Sequence, residues 1–122
     1  MRRLTLIDDC ADNRLLIQAL LGARYQITEY ESGLPGLEGI RRTGADLILL
    51  DISLPGMSGP EVLQHLKADS VTASIPVVAL TAHAMVGDRE RFLAAGFDDY
   101  VSKPIVDLSC LFATIERLTE AR

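Results

Sequence analysis

The sequence predicts an α/β domain of the doubly wound (βα)5 type, in which helices cover both faces of a parallel five-stranded sheet. Strand-like and helix-like segments alternate five times without a linker, repeat or low-complexity stretch. Residues 47–50 and 77–80 are uninterrupted apolar runs, which are typical of strands buried on both faces, and the short β-type run 4–7 is expected beside them in the centre of the sheet. The alternating run 25–30 and the short run 99–101 are expected at the edges. The strand order 2-1-3-4-5 places the central runs and these two edge runs as expected.

Apolar residues at helical spacing mark the faces on which the five helices are expected to pack. The first helix runs from Asp12 to a stop at Gly22, and the second is capped by Ser32 and closed by Gly44. A Ser58-Gly-Pro-Glu61 capping box opens the third, the fourth is expected from Ala84 to Ala95, and Asp107 is placed to cap the fifth. The residues expected on the inner faces are Leu15, Leu16, Ala19 and Leu20; Leu34, Leu37 and Ile40; Val62, Leu63 and Leu66; Phe92 and Leu93; and Leu108, Leu111, Phe112, Ile115 and Leu118.

The size and charge of the chain narrow the classes of protein to which it can belong. Its 122 residues suit one domain, 1–122, with no attached output domain expected. A net charge of −5 and the lack of a Lys/Arg cluster argue against nucleic-acid binding. The amino terminus shows neither a signal peptide nor a membrane span. Two widely separated cysteines, Cys10 and Cys110, fit a cytoplasmic protein with reduced thiols.

Reactive side chains follow four of the five predicted strands. The first strand ends at Asp8 and Asp9, the third at Asp51, the fourth at Thr81, and the fifth is followed by Lys103. Parallel strands bring their carboxyl ends to one rim, so these five side chains should meet there. Taken singly, each has an ordinary explanation as a helix cap, a turn residue or a surface lysine. Their convergence on one rim favours a site.

This set of groups points to phosphoryl chemistry. Three neighbouring carboxylates repel one another unless a cation joins them, and their oxygen ligands suit Mg²⁺ rather than zinc. An ionised Asp51 is already a nucleophile at neutral pH, while the ion and Lys103 would neutralise charge on a phosphoryl group. No glycine-rich phosphate loop is present, so the donor should be another phosphoprotein or a small phosphodonor rather than a bound nucleotide.

Four motifs carry a resemblance to a known family. They are Asp8-Asp9; Asp51 with the following Leu-Pro-Gly-Met-Ser-Gly; Val-Val-Ala-Leu-Thr81-Ala-His-Ala; and Tyr100-Val-Ser-Lys103-Pro104. Together they resemble the receiver domain of two-component response regulators, over essentially the whole chain. The resemblance implies a flavodoxin-like three-layer fold, with Asp51 as the phosphoacceptor.

The resemblance also implies a role for each site residue. Mg²⁺, or Mn²⁺ in its place, would be held by Asp8, Asp9, Asp51 and the backbone carbonyl of Ser53. Thr81 would bond the phosphoryl oxygens, Lys103 would pair with the phosphate, and Tyr100 would turn inward as Thr81 moves. The bond before Pro104 would be cis. Ser53 and His83 would tune the phosphate lifetime. We expect Cys10, where polar residues are usual, to be a small buried filler rather than a redox thiol.

The implied partners are a histidine kinase or histidine phosphotransfer protein as donor and a downstream protein target. The target would bind the face built from the fourth helix, fifth strand and fifth helix. Met85, Val86 and residues 88–91 are a candidate dimer surface, although a solvated helix face is the expected explanation. Three alternatives stay open: an aspartate-nucleophile phosphatase, a phosphate-independent interaction module and a flavodoxin-like cofactor binder. The phosphatase would need an acid where Ser53 stands.

Overall fold

The computed structural model describes residues 2–82, 85, 87–103, 105 and 108–120. Its strands are β1 (Arg3–Ile7), β2 (Gln26–Tyr30), β3 (Leu47–Asp51), β4 (Val77–Thr81) and β5 (Asp99–Ser102). Its helices are α1 (Ala11–Leu21), α2 (Gly33–Thr43), α3 (Gly59–Ala68), α4 (Asp88–Ala95) and α5 (Leu108–Glu120). The predicted alternation of strand and helix is confirmed.

The five strands form one parallel sheet in the order β2-β1-β3-β4-β5, as predicted. Both β3 and β4 are buried along their whole length, whereas the edge strand β2 has no fully buried residue. The difference follows from the sequences of these strands. Continuous apolar runs can be covered on both faces, and the alternating run of β2 leaves one face to solvent.

Two core clusters, one on each face of the sheet, give the fold its three layers. The cluster under α2, α3 and α4 contains Ile40, Val62, Leu63, Leu66, Phe92 and Phe97. The cluster under α1 and α5 contains Ile17, Leu21, Leu111 and Ile115. Alternate residues of each central strand point into the two clusters. The inner faces predicted for α3 and α5 are therefore confirmed.

The face of α1 that packs on the sheet differs from the predicted one. Ile17 and Leu21 are fully buried, whereas Leu15 and Leu16 are 71% and 37% exposed. Ala19 is also exposed, and only Leu20 of the predicted set packs against the core. Several apolar stripes of similar quality fit this leucine-rich helix, and contact with β1 and β2 selects the one through Ile17. Two leucines are thereby left on the surface.

Helix α2 packs on the sheet through glycines rather than through Leu34, which is 58% exposed. A Cβ added at Gly36 would lie 2.5 Å from Cδ1 of Ile7, and one at Gly39 would overlap the Tyr30 hydroxyl. The glycines that weaken the helix intrinsically therefore allow its close approach to β1 and β2. Their low helix propensity could not indicate this packing.

Helix α4 begins at Asp88, later than the predicted start at Ala84. Gly87 precedes it with φ of 88°, a left-handed conformation that glycine adopts without strain. Phe92 is buried as predicted, but Leu93 is 41% exposed. Ala84, Val86 and the predicted cap Asp107 lie outside the described residues.

The acidic residue that opens α4 is buried rather than solvated. The carboxylate of Asp88 accepts the Met85 amide at 2.5 Å and pairs with Arg91 at 2.7 Å. Only 2% of Asp88 is exposed. The solvated face expected over residues 88–91 is therefore wrong at Asp88, whereas residues 89–91 are exposed as expected.

A polar cluster ties the far end of α5 to the amino-terminal end of the sheet. The Tyr25 hydroxyl donates to Glu116 at 2.6 Å, and Arg2 pairs with the same carboxylate at 3.0 Å. Burial, reinforced by the hydrogen bond to Glu116, raises the pKa of Tyr25 to about 12. The same hydrogen bond lowers the pKa of Glu116, with help from Arg2.

This cluster predicts a pH-dependent contribution of Tyr25 to stability. We expect Tyr25→Phe to lower the thermal midpoint by roughly 5 °C near neutral pH, because the hydrogen bond to Glu116 is lost. A raised folded-state pKa means that this contribution is complete below about pH 10 and is lost as the pH rises toward about 12. Thermal melts of both proteins across this range measure the effect. Parallel pH curves would contradict it.

Candidate functional site at the carboxyl ends of the strands

The carboxyl ends of β1 and β3 bring three acidic side chains together. Asp8 follows β1 and is held by its backbone N–H, which donates to the Tyr30 carbonyl at 3.0 Å. Asp51 is the last residue of β3, and the Ile52 N–H donates to Leu80 at 3.1 Å. Carboxylate oxygens of Asp8, Asp9 and Asp51 all lie within 4.8 Å of one another. The predicted convergence of these acids is confirmed.

Two of the three carboxylates are buried and oriented by nearby backbone amides. Asp8 is fully buried and Asp51 is 2% exposed, whereas Asp9 is exposed. Oδ1 of Asp8 accepts the Cys10 N–H at 2.9 Å, and Oδ1 of Asp51 accepts the Ser53 N–H at 3.0 Å. Both bonds close short turns directly after a strand, as aspartates at strand ends commonly do. The remaining oxygens face the interior of the site.

Lys103 supplies positive charge to this cluster. Its Nζ lies 3.2 Å from Oδ2 of Asp51 and 3.5 Å from Oδ2 of Asp8, while its backbone N–H donates to the Thr81 carbonyl at 2.8 Å. Burial alone would lower the pKa of Lys103, but the two carboxylates outweigh it and raise the pKa above its usual value. The ammonium therefore stays charged, and Lys103 is not a solvated surface lysine.

Thr81 and Tyr100 lie on one face of the sheet. Thr81 ends β4 and is 3% exposed. Residues two apart in a strand share a face, so Thr81 follows Ala79, which pairs with Tyr100 across the β4–β5 ladder. The half-buried Tyr100 ring lies 5.5 Å from that of Phe92 in α4. The tyrosine thus lies between the end of β4 and helix α4, where a movement of either would reach it.

The acidic cluster has the chemistry of a magnesium site. It offers only oxygen ligands, three carboxylates in all, and one of them is exposed to solvent. Mg²⁺ prefers one or two carboxylates together with several waters, so an open cluster of this kind suits it better than a closed cage. A net charge of about −2, from three carboxylates and one ammonium, also favours a divalent cation. The residues present therefore fit the predicted ion.

Several predicted site residues are outside the described part of the chain, and one differs from expectation. His83 and Pro104 lie outside the described residues. Ser53, two residues after Asp51, is exposed. Cys10 is exposed at the N-cap of α1 instead of being a buried filler, because its backbone turns to donate to Asp8 while its side chain points away from the core.

Two residues of α1 that the sequence did not single out contact Asp8. The Asn13 side chain donates to Oδ2 of Asp8, and Nη1 of Arg14 donates to the Asp8 carbonyl at 2.7 Å. Both precede Ile17 by three or four positions, so they share the sheet-facing side of the helix. Correct assignment of that face from the sequence would have directed attention to them.

A second ion-pair cluster links three elements at the β5 edge. The buried carboxylate of Asp99 pairs with Arg89 of α4 at 2.9 Å and with Arg117 of α5 at 2.6 Å. The same carboxylate accepts the Tyr100 N–H at 2.8 Å. Asp99 thus joins α4, β5 and α5 directly beside Tyr100. No local pattern in the sequence predicts these pairs, since Arg89 and Arg117 lie 10 and 18 residues from Asp99 along the chain.

Comparison with known proteins identifies the class to which this fold and site belong. The family described as response regulator receiver domain matches residues 4–116. The chain belongs to this family and is a receiver domain of two-component signalling.

Two curated relatives of the chain are proteins of different kinds, a response regulator and a sensor protein. The chain is 44% identical over 101 residues to the polar-differentiation response regulator DivK of Brucella ovis, and the match covers 82% of each protein. It is 38% identical over 109 residues to the sensor protein GacS of Pseudomonas syringae pv. syringae. That match covers 84% of this chain and 12% of GacS.

Solved structures of similar proteins agree in fold. The receiver domain of the sensor histidine kinase PA1611 from Pseudomonas aeruginosa superposes with a TM-score of 0.87 at 31% identity, covering 98% of both chains. That structure holds a magnesium ion in its active-site cleft. A response regulator from Chloroflexus aurantiacus superposes with a TM-score of 0.89 at 25% identity, covering 99% of this chain and 98% of the other.

None of the described helices combines the length and apolarity that crossing a bilayer requires.

Proposed function

We propose that Asp51 is the phosphoacceptor of this receiver domain. An oxygen of Asp51 would form a bond to phosphorus as the bond from phosphorus to the donor's histidine nitrogen breaks. The observation that carries the proposal is the buried Asp51 carboxylate, 3.2 Å from Lys103 and within 4.8 Å of two further acids. Lys103 would pair with the transferred group, and the Thr81 hydroxyl would bond its oxygens.

Asp8, Asp9 and Asp51, with the backbone carbonyl of Ser53, are the proposed metal ligands. When bound, Mg²⁺ would neutralise negative charge on the phosphoryl oxygens. The carboxylate set and the magnesium in the PA1611 receiver support this assignment. Mn²⁺ accepts the same oxygen ligands and would serve in its place.

The output of the domain is proposed to be a change in protein binding at the α4–β5–α5 face. Movement of Thr81 toward the phosphoryl group would open space for the Tyr100 ring, which lies on the same face of the sheet. The contact of Tyr100 with Phe92 and the ion pairs of Asp99 would carry that shift into α4 and α5. A phosphate that favours one of two states of similar energy is sufficient for such a switch.

The proposed donor is a histidine kinase or histidine phosphotransfer protein in the cytoplasm. Leu15 and Leu16 expose apolar surface on α1, one turn from the acidic rim, and this surface would contact the donor. Two exposed cysteines suit a reducing compartment. The proposed output partner is a downstream protein, and a phosphorylation-dependent dimer through α4–β5–α5 is a second form of output.

The domain would promote its own phosphorylation and dephosphorylation without turning over an external substrate. A phosphatase of the aspartate-nucleophile type needs an acid/base two residues after the nucleophile, and Ser53 has no such group. Ser53 and His83, by contrast, are proposed to set the lifetime of the aspartyl phosphate.

Incubation with acetyl phosphate tests the proposed function directly. With Mg²⁺, intact mass spectrometry should show one added phosphoryl group, and chelation of the metal should abolish the gain. The ion is needed because the acidic cluster otherwise repels the anionic donor. Absence of any gain from acetyl phosphate and from phosphohistidine donors would overturn the proposal. Repeated hydrolysis of a phosphate ester would favour the phosphatase instead.

A further inference from the structure

Asn13 of α1 contacts the most deeply buried carboxylate of the site. Its side-chain amide, half-buried in the first turns of the helix, reaches back across the β1–α1 connection to Oδ2 of Asp8. An ionised carboxylate only accepts hydrogen bonds, so the NH₂ group of Asn13 must face it. The contact therefore has a defined direction, from helix to site.

Three donors fix the plane of the Asp8 carboxylate. The Cys10 N–H bonds Oδ1 at 2.9 Å, while Lys103 approaches Oδ2 at 3.5 Å. Asn13 donates to that same Oδ2. Since Lys103 lies closer to Asp51, at 3.2 Å, Asn13 is the side chain devoted to Asp8. A planar group held at both oxygens cannot rotate freely about its χ2 bond.

The next residue holds the main chain of Asp8. Arg14 donates from Nη1 to the Asp8 carbonyl at 2.7 Å and pairs through Nε with Glu29 of β2 at 3.2 Å. Consecutive residues of α1 thus hold the carboxylate and the carbonyl of Asp8. The charge of Arg14 is paired with Glu29, which is not one of the three site acids.

The neutral character of Asn13 matters for a site that binds a cation. A cationic side chain in place of Asn13 would add a further positive charge at Oδ2 of Asp8, where it would repel a divalent ion and compete for the same oxygen. An amide orients the carboxylate and leaves its charge available. Partners of this kind, which touch a metal ligand but not the metal, commonly determine affinity.

We propose that Asn13 is a positioning residue of the magnesium site, holding Asp8 beside Asp9 and Asp51 through its side-chain amide. The inference rests on the metal site of the proposed function. Asn13 lies outside the acidic cluster, and its side-chain amide would set how tightly the cluster binds the ion.

Calorimetric titration of the intact domain with Mg²⁺ tests this role. Asn13→Ala and Asn13→Leu both remove the hydrogen-bond donor, the first with a smaller side chain and the second with one of similar size. Each should weaken Mg²⁺ binding about tenfold. Asn13→Gln keeps an amide and should recover part of the loss. Gln18→Ala is the matched control, because Gln18 lies on the same helix and donates to the Ile27 carbonyl at 3.3 Å without contacting Asp8. It should bind Mg²⁺ within twofold of wild type.

The Mg²⁺ dependence of phosphorylation separates positioning from general damage. With acetyl phosphate, the half-saturating Mg²⁺ concentration of Asn13→Ala should rise by the same factor, while the rate at saturating Mg²⁺ stays near that of wild type. If wild type binds Mg²⁺ but both donorless variants bind it within twofold, the inference about Asn13 is overturned and the proposed function stands. If wild type binds no Mg²⁺, both are overturned.

Discussion

Asp51→Asn should abolish the phosphoryl gain from acetyl phosphate and, in metal-free solution, leave a protein at least as stable as wild type. The first effect follows because an amide oxygen is too weak a nucleophile to accept the group at an appreciable rate. The second follows from the crowding of charge at the site. Intact mass spectrometry and urea unfolding in the presence of a chelator measure the two effects.

An estimate of the charge interactions gives the sign of the stability effect. Asp51 attracts Lys103 at 3.2 Å and repels two carboxylates within 4.8 Å. At an effective dielectric constant of about 20, the attraction is roughly 5 kcal/mol and the two repulsions together are at least about 7 kcal/mol. Desolvation of the buried charge adds to the cost. The neutral amide removes this net cost of about 2 kcal/mol. Solvent screens the repulsion from the exposed Asp9, so we expect a gain of about 1 kcal/mol.

Addition of Mg²⁺ should reverse the order of the two proteins. Wild type should gain about 2.7 kcal/mol at a hundredfold excess of Mg²⁺ over its dissociation constant, and Asp51→Asn much less. Asp12→Asn provides the control, since Asp12 is an exposed acid of α1 outside the cluster. It should accept phosphate normally. Equal phosphorylation of Asp51→Asn and wild type would place the acceptor elsewhere.

The sequence predicted the fold and the site acids because both depend on local patterns. Continuous apolar runs identify the central strands, and parallel strands bring whatever follows them to one rim. Asp8, Asp51 and Lys103 could therefore be placed together before any distance was known, and the structure confirms their contacts. Spacing alone did not decide whether these residues form a site or are ordinary helix caps. The resemblance to receiver domains added a role for each of them.

Features that depend on the direction of a helix face or on distant pairing could not be predicted in this way. The leucine-rich α1 fits more than one apolar stripe, and the choice of Ile17 over Leu15 is made by the sheet. That choice also directs Asn13 toward Asp8. The links of Asp99 to α4 and α5 are tertiary, and no local pattern encodes them.

Gly59→Ala should be the most destabilising of the conservative glycine substitutions near the site and should also slow phosphorylation. Gly59 is the first residue of α3, and its N–H donates to the Ile52 carbonyl at 3.3 Å. An added Cβ would lie 2.5 Å from Cα of Ile52 and 2.6 Å from the carbonyl oxygen of Asp51. These are backbone atoms at the end of a fully buried strand, so they cannot move aside as a side chain would.

The cost should be about 3 kcal/mol, at the upper end of values for overpacking, because α3 must shift away from β3. Phosphorylation by acetyl phosphate should slow at least about tenfold, since displacement of Asp51 disturbs its alignment with Lys103. Urea unfolding and the rate of mass gain at saturating Mg²⁺ measure the two effects.

Gly56→Ala separates this steric effect from ordinary backbone strain. Gly56 lies in the same connection with φ of 73° and no atom within 4 Å of an added Cβ. Its substitution should cost only about 1 kcal/mol from the left-handed conformation, with phosphorylation near the wild-type rate. Equal destabilisation of the two variants, or normal phosphorylation of Gly59→Ala, would show that the close approach of α3 to Asp51 does not hold the acceptor in place.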